Sequence, residues 1–159
     1  MHIAWTYKAF AELTAEELYR IIQLRERIFV VEQNCVYLEA DGKDPKAMHL
    51  AGYSGDGLLA AYLRVLPAGI SYEEHSIGRV VVAPEMRGKG LGVQVMKEAL
   101  ARIQQIEGRV PIRISAQAHL AERYYGPLGF KSVGDIYDED GIPHVCMLLT
   151  HDTINLSEG

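Results

Sequence analysis

Gly78-Arg79-Val80-Val81-Val82-Ala83-Pro84-Glu85-Met86-Arg87-Gly88-Lys89-Gly90-Leu91-Gly92 runs directly into a helix-patterned segment that ends near Ile106. The β-branched run Val80, Val81 and Val82 suits a buried strand, and Pro84, which has no N–H to donate to a ladder, ends it. Gly88, Gly90 and Gly92 remove β-carbons from alternate residues of the following loop, so a ligand can approach the backbone while successive N–H groups converge on it. The helix that begins near Leu91 turns its unpaired N–H groups and the positive end of its dipole toward the same place. Arg87 and Lys89 add full positive charge. A strand, a tight turn, a glycine-rich loop and a helix start together make a site for an anion such as a pyrophosphate.

Spacing separates this loop from two common nucleotide-binding patterns. A phosphate loop of the Walker type ends in Gly-Lys-Ser/Thr, whereas Lys89 is followed by Gly90. A dinucleotide fingerprint needs a third glycine where Val93 stands, and the strand expected at 112–116 is followed by Gln117 rather than an acidic ribose ligand.

Outward from this centre, residues 2–7 alternate as a first strand, and Thr14-Ala15-Glu16-Glu17 is a capping box for a helix whose stripe is Leu18, Ile21, Ile22, Arg25, Ile28 and Phe29. Two strands at 48–53 and 58–66 flank the Gly55-Asp56-Gly57 turn. The helix at 91–106 carries Val95, Met96, Ala99, Leu100, Ile103 and Ile106 as its core stripe. A strand at 112–116, a short helix at 119–125 stopped by Gly126-Pro127, and a hairpin of 130–137 with 142–149 complete the order. This succession predicts one mixed α/β sheet with helices on both faces, residues 1–150 forming a single domain and 151–159 a tail. The loop from Glu32 to Asp44 is acidic, and Glu32, Glu39, Asp41 and Asp44 are candidates to attract a cationic amine.

Composition narrows the class. With 48% hydrophobic and 23% charged residues the chain has the makeup of a globular domain. A net charge of −5 argues against broad binding to nucleic acid or to an anionic membrane. Cys35 and Cys146 are too few and too far apart for a disulfide framework or a zinc site, which leads to the expectation of reduced thiols, no metal and a soluble cytoplasmic protein. No apolar run approaches the roughly 18 residues of a spanning helix.

The central loop resembles the acyl-CoA loop of the GNAT superfamily of N-acyltransferases, in which Arg or Gln, two residues, Gly, one residue, and Gly or Ala follow one another; Arg87, Gly90 and Gly92 match. A second matching element is Tyr124-Tyr125-Gly126-Pro127-Leu128-Gly129-Phe130. Further stretches are similar to the ElaA-like branch: Leu24-Arg25, Phe29-Val30-Val31-Glu32-Gln33-Asn34-Cys35, Ile77-Gly78-Arg79-Val80, Ser115-Ala116-Gln117-Ala118-His119-Leu120, and Asp138-Glu139-Asp140-Gly141-Ile142-Pro143-His144.

The resemblance implies a single GNAT-like domain that moves an acetyl group from acetyl-CoA, its co-substrate, directly to a primary amine of a small molecule or peptide. It implies that Val80, Val81 and Val82 pair with the pantetheine arm, that Arg87, Gly88, Lys89, Gly90, Leu91, Gly92 and Val93 hold the pyrophosphate, and that Tyr125 protonates the leaving thiolate. It leaves a homodimer open. Two positions depart from the family's pattern. Gln117 and Ala118 occupy the region of a frequent asparagine, and Ser76 stands where some members carry a glutamate base. Glu32, His49, His119 and His144 are the candidate bases that remain, beside a water-relayed one. The alternative reading is a non-catalytic module that binds CoA or acetyl-CoA and reports it to a partner.

Overall fold

In the computed structural model, which describes residues 2–151, seven strands form one sheet in the order β1-β2-β3-β4-β5-β7-β6. The strands are β1 (Ala4–Ala9), β2 (Met48–Tyr53), β3 (Leu59–Leu66), β4 (His75–Val82), β5 (Ile112–Gln117), β6 (Lys131–Glu139) and β7 (Ile142–Leu149). Neighbours are antiparallel except β4 and β5, which run parallel. The sheet is therefore mixed, as the sequence predicts, and the predicted tail beyond His151 lies outside the described residues.

Two long helices cover it. Helix α1 (Ala15–Arg25) opens on the predicted capping box, with the Glu17 N–H donating to Thr14 Oγ1 at 3.1 Å and the Thr14 N–H donating to Glu17 Oε1 at 2.9 Å. Helix α2 (Leu91–Glu107) buries Leu91, Val95, Met96, Ala99 and Ile103 at the i, i+4, i+5, i+8, i+12 spacing of one face. Both helices pack on β3, whose eight residues are all buried, so neither face of this central strand meets water.

Three departures from regularity position the site. The parallel pairing of β4 and β5 comprises only His75 with Ile112 and Ser76 with Arg113; beyond Ser76 the strands diverge and the sheet opens. On its other edge β4 carries an extra residue against β3, since Tyr62 opposes Val81 and Arg64 opposes Gly78. Arg79 sits in this bulge at φ 54°, a left-handed conformation rare for a residue with a β-carbon. Third, α1 does not simply continue. The chain from Glu26 to Glu32 is π-helical, with the Gln33 N–H reaching back five residues to the Ile28 carbonyl at 3.1 Å.

The short third helix also differs from a plain turn of α-helix. α3 (Ala118–Leu120) passes into a π-helical turn at Ala121–Tyr125 and then a 3-10 turn at Gly126–Leu128. Gly126-Pro127 therefore prolongs the helical path by one tight turn rather than stopping it. Pro127 occupies an early position of that turn, where its missing N–H has no bond to lose.

Candidate active site

The gap between the diverging strands is a cleft of about 620 Å³ that passes through the sheet. Its walls include Val80, Val81 and Val82 of β4, Ile114, Ser115 and Gln117 of β5, Phe29 and Glu32 of the π-helical segment, Tyr125, and Glu139 and His144 of the β6–β7 hairpin. Opening a parallel pair leaves the β4 backbone beyond Ser76 without a strand partner on that side, so its polar groups face the cleft. An extended acyl or pantetheine chain can pair with such an edge as an added strand does.

Arg87 lines the cleft, and Gly88, Lys89, Gly90, Leu91, Gly92 and Val93 continue directly from it into α2. The N-cap is Gly90 at φ 76°, with no side-chain oxygen to satisfy the helix N–H groups. The first helical bond runs from the Gln94 N–H to the Gly90 carbonyl at 3.1 Å, so the N–H groups of Leu91, Gly92 and Val93 are left for an external acceptor. The first turn carries no acidic residue that would compete with an anion there. Leu91, buried at 1% exposure, anchors the turn to the core.

Gly92 has a second role that its motif position does not reveal. A β-carbon there would lie 1.5 Å from the Tyr124 hydroxyl oxygen and 2.8 Å from Tyr124 Cζ, so the absent side chain lets the Tyr124 ring close on the start of α2. The Tyr124 ring meets the Tyr125 ring edge-on at 5.3 Å, and Tyr125 meets Phe130 edge-on at 6.3 Å. This stack holds Tyr125 in the cleft wall. Its hydroxyl makes no hydrogen bond with a described residue, and burial, with a smaller contribution from Tyr124, pushes its pKa up to about 12. It is a neutral donor at physiological pH.

The acidic loop is not a free acidic surface. Arg25, Glu39, Arg79, Asp41, Arg64 and Asp44 close into a ring of alternating charge. Arg25 pairs with Glu39 and with Asp44 at 2.8 Å each, and Arg64 pairs with Asp44 at 2.9 Å and donates to Asp41 at 2.8 Å. Arg79 meets Asp41 at 3.5 Å and pairs with Glu39. His49, fully buried, binds the Tyr62 hydroxyl at 2.7 Å and the Asp44 carbonyl at 3.0 Å beside it. Burial alone would raise the Asp44 carboxyl; the Arg25 hydrogen bond and charge, with Arg64, outweigh it and hold the carboxyl below its ordinary range. Glu39, Asp41 and Asp44 therefore anchor a loop and are spent as attractors of an amine. Glu32, the fourth candidate, pairs with Arg87 at 2.6 Å.

Sequence reasoning missed the ring because its arginines lie on three separate elements. One signal was available: Arg25 falls in the apolar stripe of α1, where a charge needs partners, and it is completely buried. Of the candidate bases, Glu32 is paired and His49 is enclosed with both ring nitrogens engaged. His119 is exposed and outside the cleft walls, while His144 is within them. Ser76, in place of a glutamate, is buried in the wall at 4% exposure.

Comparison with known proteins places the fold in a family. Residues 11–151 match the family model described as an acetyltransferase (GNAT) domain. Protein ElaA of Escherichia coli K12 is 40% identical over 147 residues, covering 91% of this chain and 95% of ElaA. The crystal structure of an acyl-CoA N-acyltransferase from Pseudomonas aeruginosa superposes with a TM-score of 0.89 at 44% identity, covering 94% of this chain and all of that one. An aminoglycoside 6'-N-acetyltransferase complexed with coenzyme A shares the fold at a TM-score of 0.65 and 16% identity, covering 94% of this chain and 97% of that one. With a family match across most of its length and relatives this similar, the chain belongs to the GNAT acetyltransferase family and to its ElaA-like branch.

Proposed function

We propose that the protein is an acetyl-CoA-dependent N-acetyltransferase that passes the acetyl group directly to a primary amine of a small molecule or peptide. The observation that carries this reading is the meeting, at one cleft, of an unpaired β4 edge and a partly buried tyrosine donor, with an uncapped helix N-terminus continuing from the cleft residue Arg87. The name of the Pseudomonas aeruginosa relative, an acyl-CoA N-acyltransferase, supports it.

In this reading Val80, Val81 and Val82 receive the pantetheine arm along their backbone. An N–H of that edge stabilises the carbonyl oxygen as the amine adds and negative charge develops there. The N–H groups from Gly88 to Val93, with Arg87 and Lys89, take the pyrophosphate. Binding the amine beside the thioester supplies the proximity that direct transfer needs, without a covalent acyl-enzyme.

Tyr125 serves the leaving sulfur. Full proton loss from a hydroxyl of pKa about 12 to a thiolate of reference pKa near 8.5 runs uphill. The hydroxyl therefore stabilises the developing thiolate by a hydrogen bond and relays the proton that the amine nitrogen gives up.

Calorimetric titration with acetyl-CoA and CoA, followed by thiol release against a panel of amines and peptides, tests the reading. Binding with amine-dependent thiol release is expected, and Tyr125→Phe should lower kcat about 10- to 100-fold with little change in acetyl-CoA affinity. Binding with no release from any acceptor would point instead to a CoA-binding module, and no binding would remove the assignment of the loop.

A further inference from the structure

Once Glu32 and the carboxylates of the arginine ring are accounted for, the carboxylates and imidazole that remain in the cleft wall lie on the β6–β7 hairpin: Asp140 stands on its exposed turn, while Glu139 and His144 face each other. His144 is buried at 7% exposure, and its Nδ1 sits 2.7 Å from the Ile142 carbonyl oxygen, an atom that only accepts. Nδ1 must carry the hydrogen. In the neutral ring Nε2 then has a bare lone pair, and it faces Glu139 Oε2 at 3.3 Å. Two acceptors turned toward each other at that distance leave place for one proton between them.

The surroundings hold this arrangement and leave one side open. Ser115 donates to the other carboxylate oxygen, Glu139 Oε1, at 3.2 Å, and the Tyr137 hydroxyl pairs with Ser115. The Tyr137 ring stacks on the imidazole at a centroid distance of 6.2 Å. Pairing of Gln117 with His144 on β5–β7, and of Tyr137 with His144 on β6–β7, sets the ring's place from both sides. Glu139 remains 46% exposed at its side chain and lines the same cleft as Tyr125, so the carboxylate is what an incoming group meets, with the imidazole behind it. The charged and titratable groups beside the pair are Asp138 and Asp140 on the hairpin turn, Tyr137, Cys146 on β7, Tyr72, and Cys35, whose thiol contacts the Asp140 carbonyl at 3.4 Å from across the cleft.

We propose that Glu139 and His144 act together as the proton acceptor of the transfer reaction, an inference that rests on the N-acetyltransferase reading. The amine enters as an ammonium ion beside the Glu139 carboxylate and gives up one proton, which comes to lie between Oε2 and Nε2 as an imidazolium–carboxylate pair. The freed nitrogen lone pair forms the bond to the acetyl carbon, and the C–S bond breaks with its electrons on sulfur. The second nitrogen proton passes through Tyr125 to the thiolate, and the pair returns its proton to water. The products are amide, CoA thiol and one proton. Glu139 touches the amine; His144 is a positioning residue and the proton's store.

Thiol release against a panel of primary amines, measured from pH 5.5 to 9.5 for wild type, Glu139→Gln and His144→Gln, tests this, with acetyl-CoA affinity measured on the same preparations. Both variants should keep acetyl-CoA affinity within about twofold. Glu139→Gln should lose about 10²- to 10⁴-fold in kcat, and His144→Gln should keep a smaller activity with a changed loss of rate on acidification. Because Glu139 is exposed, its variant remains informative if His144→Gln does not fold. Wild-type transfer that is matched by Glu139→Gln in rate and pH profile overturns the assignment alone. A wild type that binds acetyl-CoA but transfers to no amine, or does not bind it, overturns the transferase reading and this inference with it.

Discussion

Two charged loops flank the open end of β4, and they use charge in opposite ways. The loop at 87–93 is short and glycine-rich and leaves the N–H groups of Leu91, Gly92 and Val93 unpaired, because Gly90 caps the helix without a side chain. The stretch at 39–44 holds three carboxylates, and each of them is neutralised by Arg25, Arg64 or Arg79. One is a site prepared for an outside partner; the other is an internal clamp. A formal charge in the sequence is available to a ligand only where the fold supplies no countercharge, and the clamp engages Arg79, which sits at left-handed φ in the β4 bulge.

The clamp offers the sharpest way to break this contrast. Arg25→Ala leaves Glu39 and Asp44 buried without their partner, and about 3–5 kcal/mol of stability should be lost in denaturant unfolding. Stability unchanged by Arg25→Ala would show the ring to be ornamental.

Acid should remove the stability that the clamp contributes. Burial depresses the pKa of His49, so the unfolded chain takes up that proton first and stability begins to fall below about pH 6.5. Against the effect of burial, the neighbouring arginines hold the carboxyls of Asp41 and Asp44 below their ordinary values, so their contribution is complete above about pH 4 and is lost as pH falls further. Unfolding midpoints measured from pH 7 to pH 3 should decline in these two stages, and Asp41→Asn should flatten the second. A decline that is the same in the Asp41→Asn variant would detach the ring from acid stability.

At the glycine loop the expected effects are smaller and more local. Gly92→Ala drives a β-carbon into the Tyr124 hydroxyl and should cost about 1–3 kcal/mol, a penalty that disappears in a Tyr124→Ala background. An additive double mutant would place the strain elsewhere.

The smallest effect concerns an ion pair that joins the loop to α1's extension. Arg87 and Glu32 pair at 2.6 Å with both side chains about half exposed, a pair worth about 0–1 kcal/mol. Freeing Arg87 by Glu32→Ala should tighten acetyl-CoA binding up to about fivefold by calorimetry; weaker binding would assign Glu32 to the ligand side of the contrast.

The local chemistry of this chain was written in its sequence. Val80, Val81 and Val82, Pro84 and the spaced glycines define strand, turn and helix start through backbone sterics alone, and Thr14 with Glu17 defines the start of α1 through two hydrogen bonds within four residues. The periodicity of α2 and the alternation of β5 fixed the faces that became the core. What only the tertiary structure decided were relations between residues far apart in the chain. The opening of β4 from β5 follows from pairing that ends at Ser76, and the ring joins Arg25, Arg64 and Arg79 to carboxylates 14 to 40 positions away. Gly92 makes room for Tyr124, and Ser115 reaches Glu139 beside His144, only after the chain has folded back on itself. Short-range sterics and hydrogen bonding are legible residue by residue, whereas the partner of a buried charge is chosen by whichever distant group the packed sheet brings within reach.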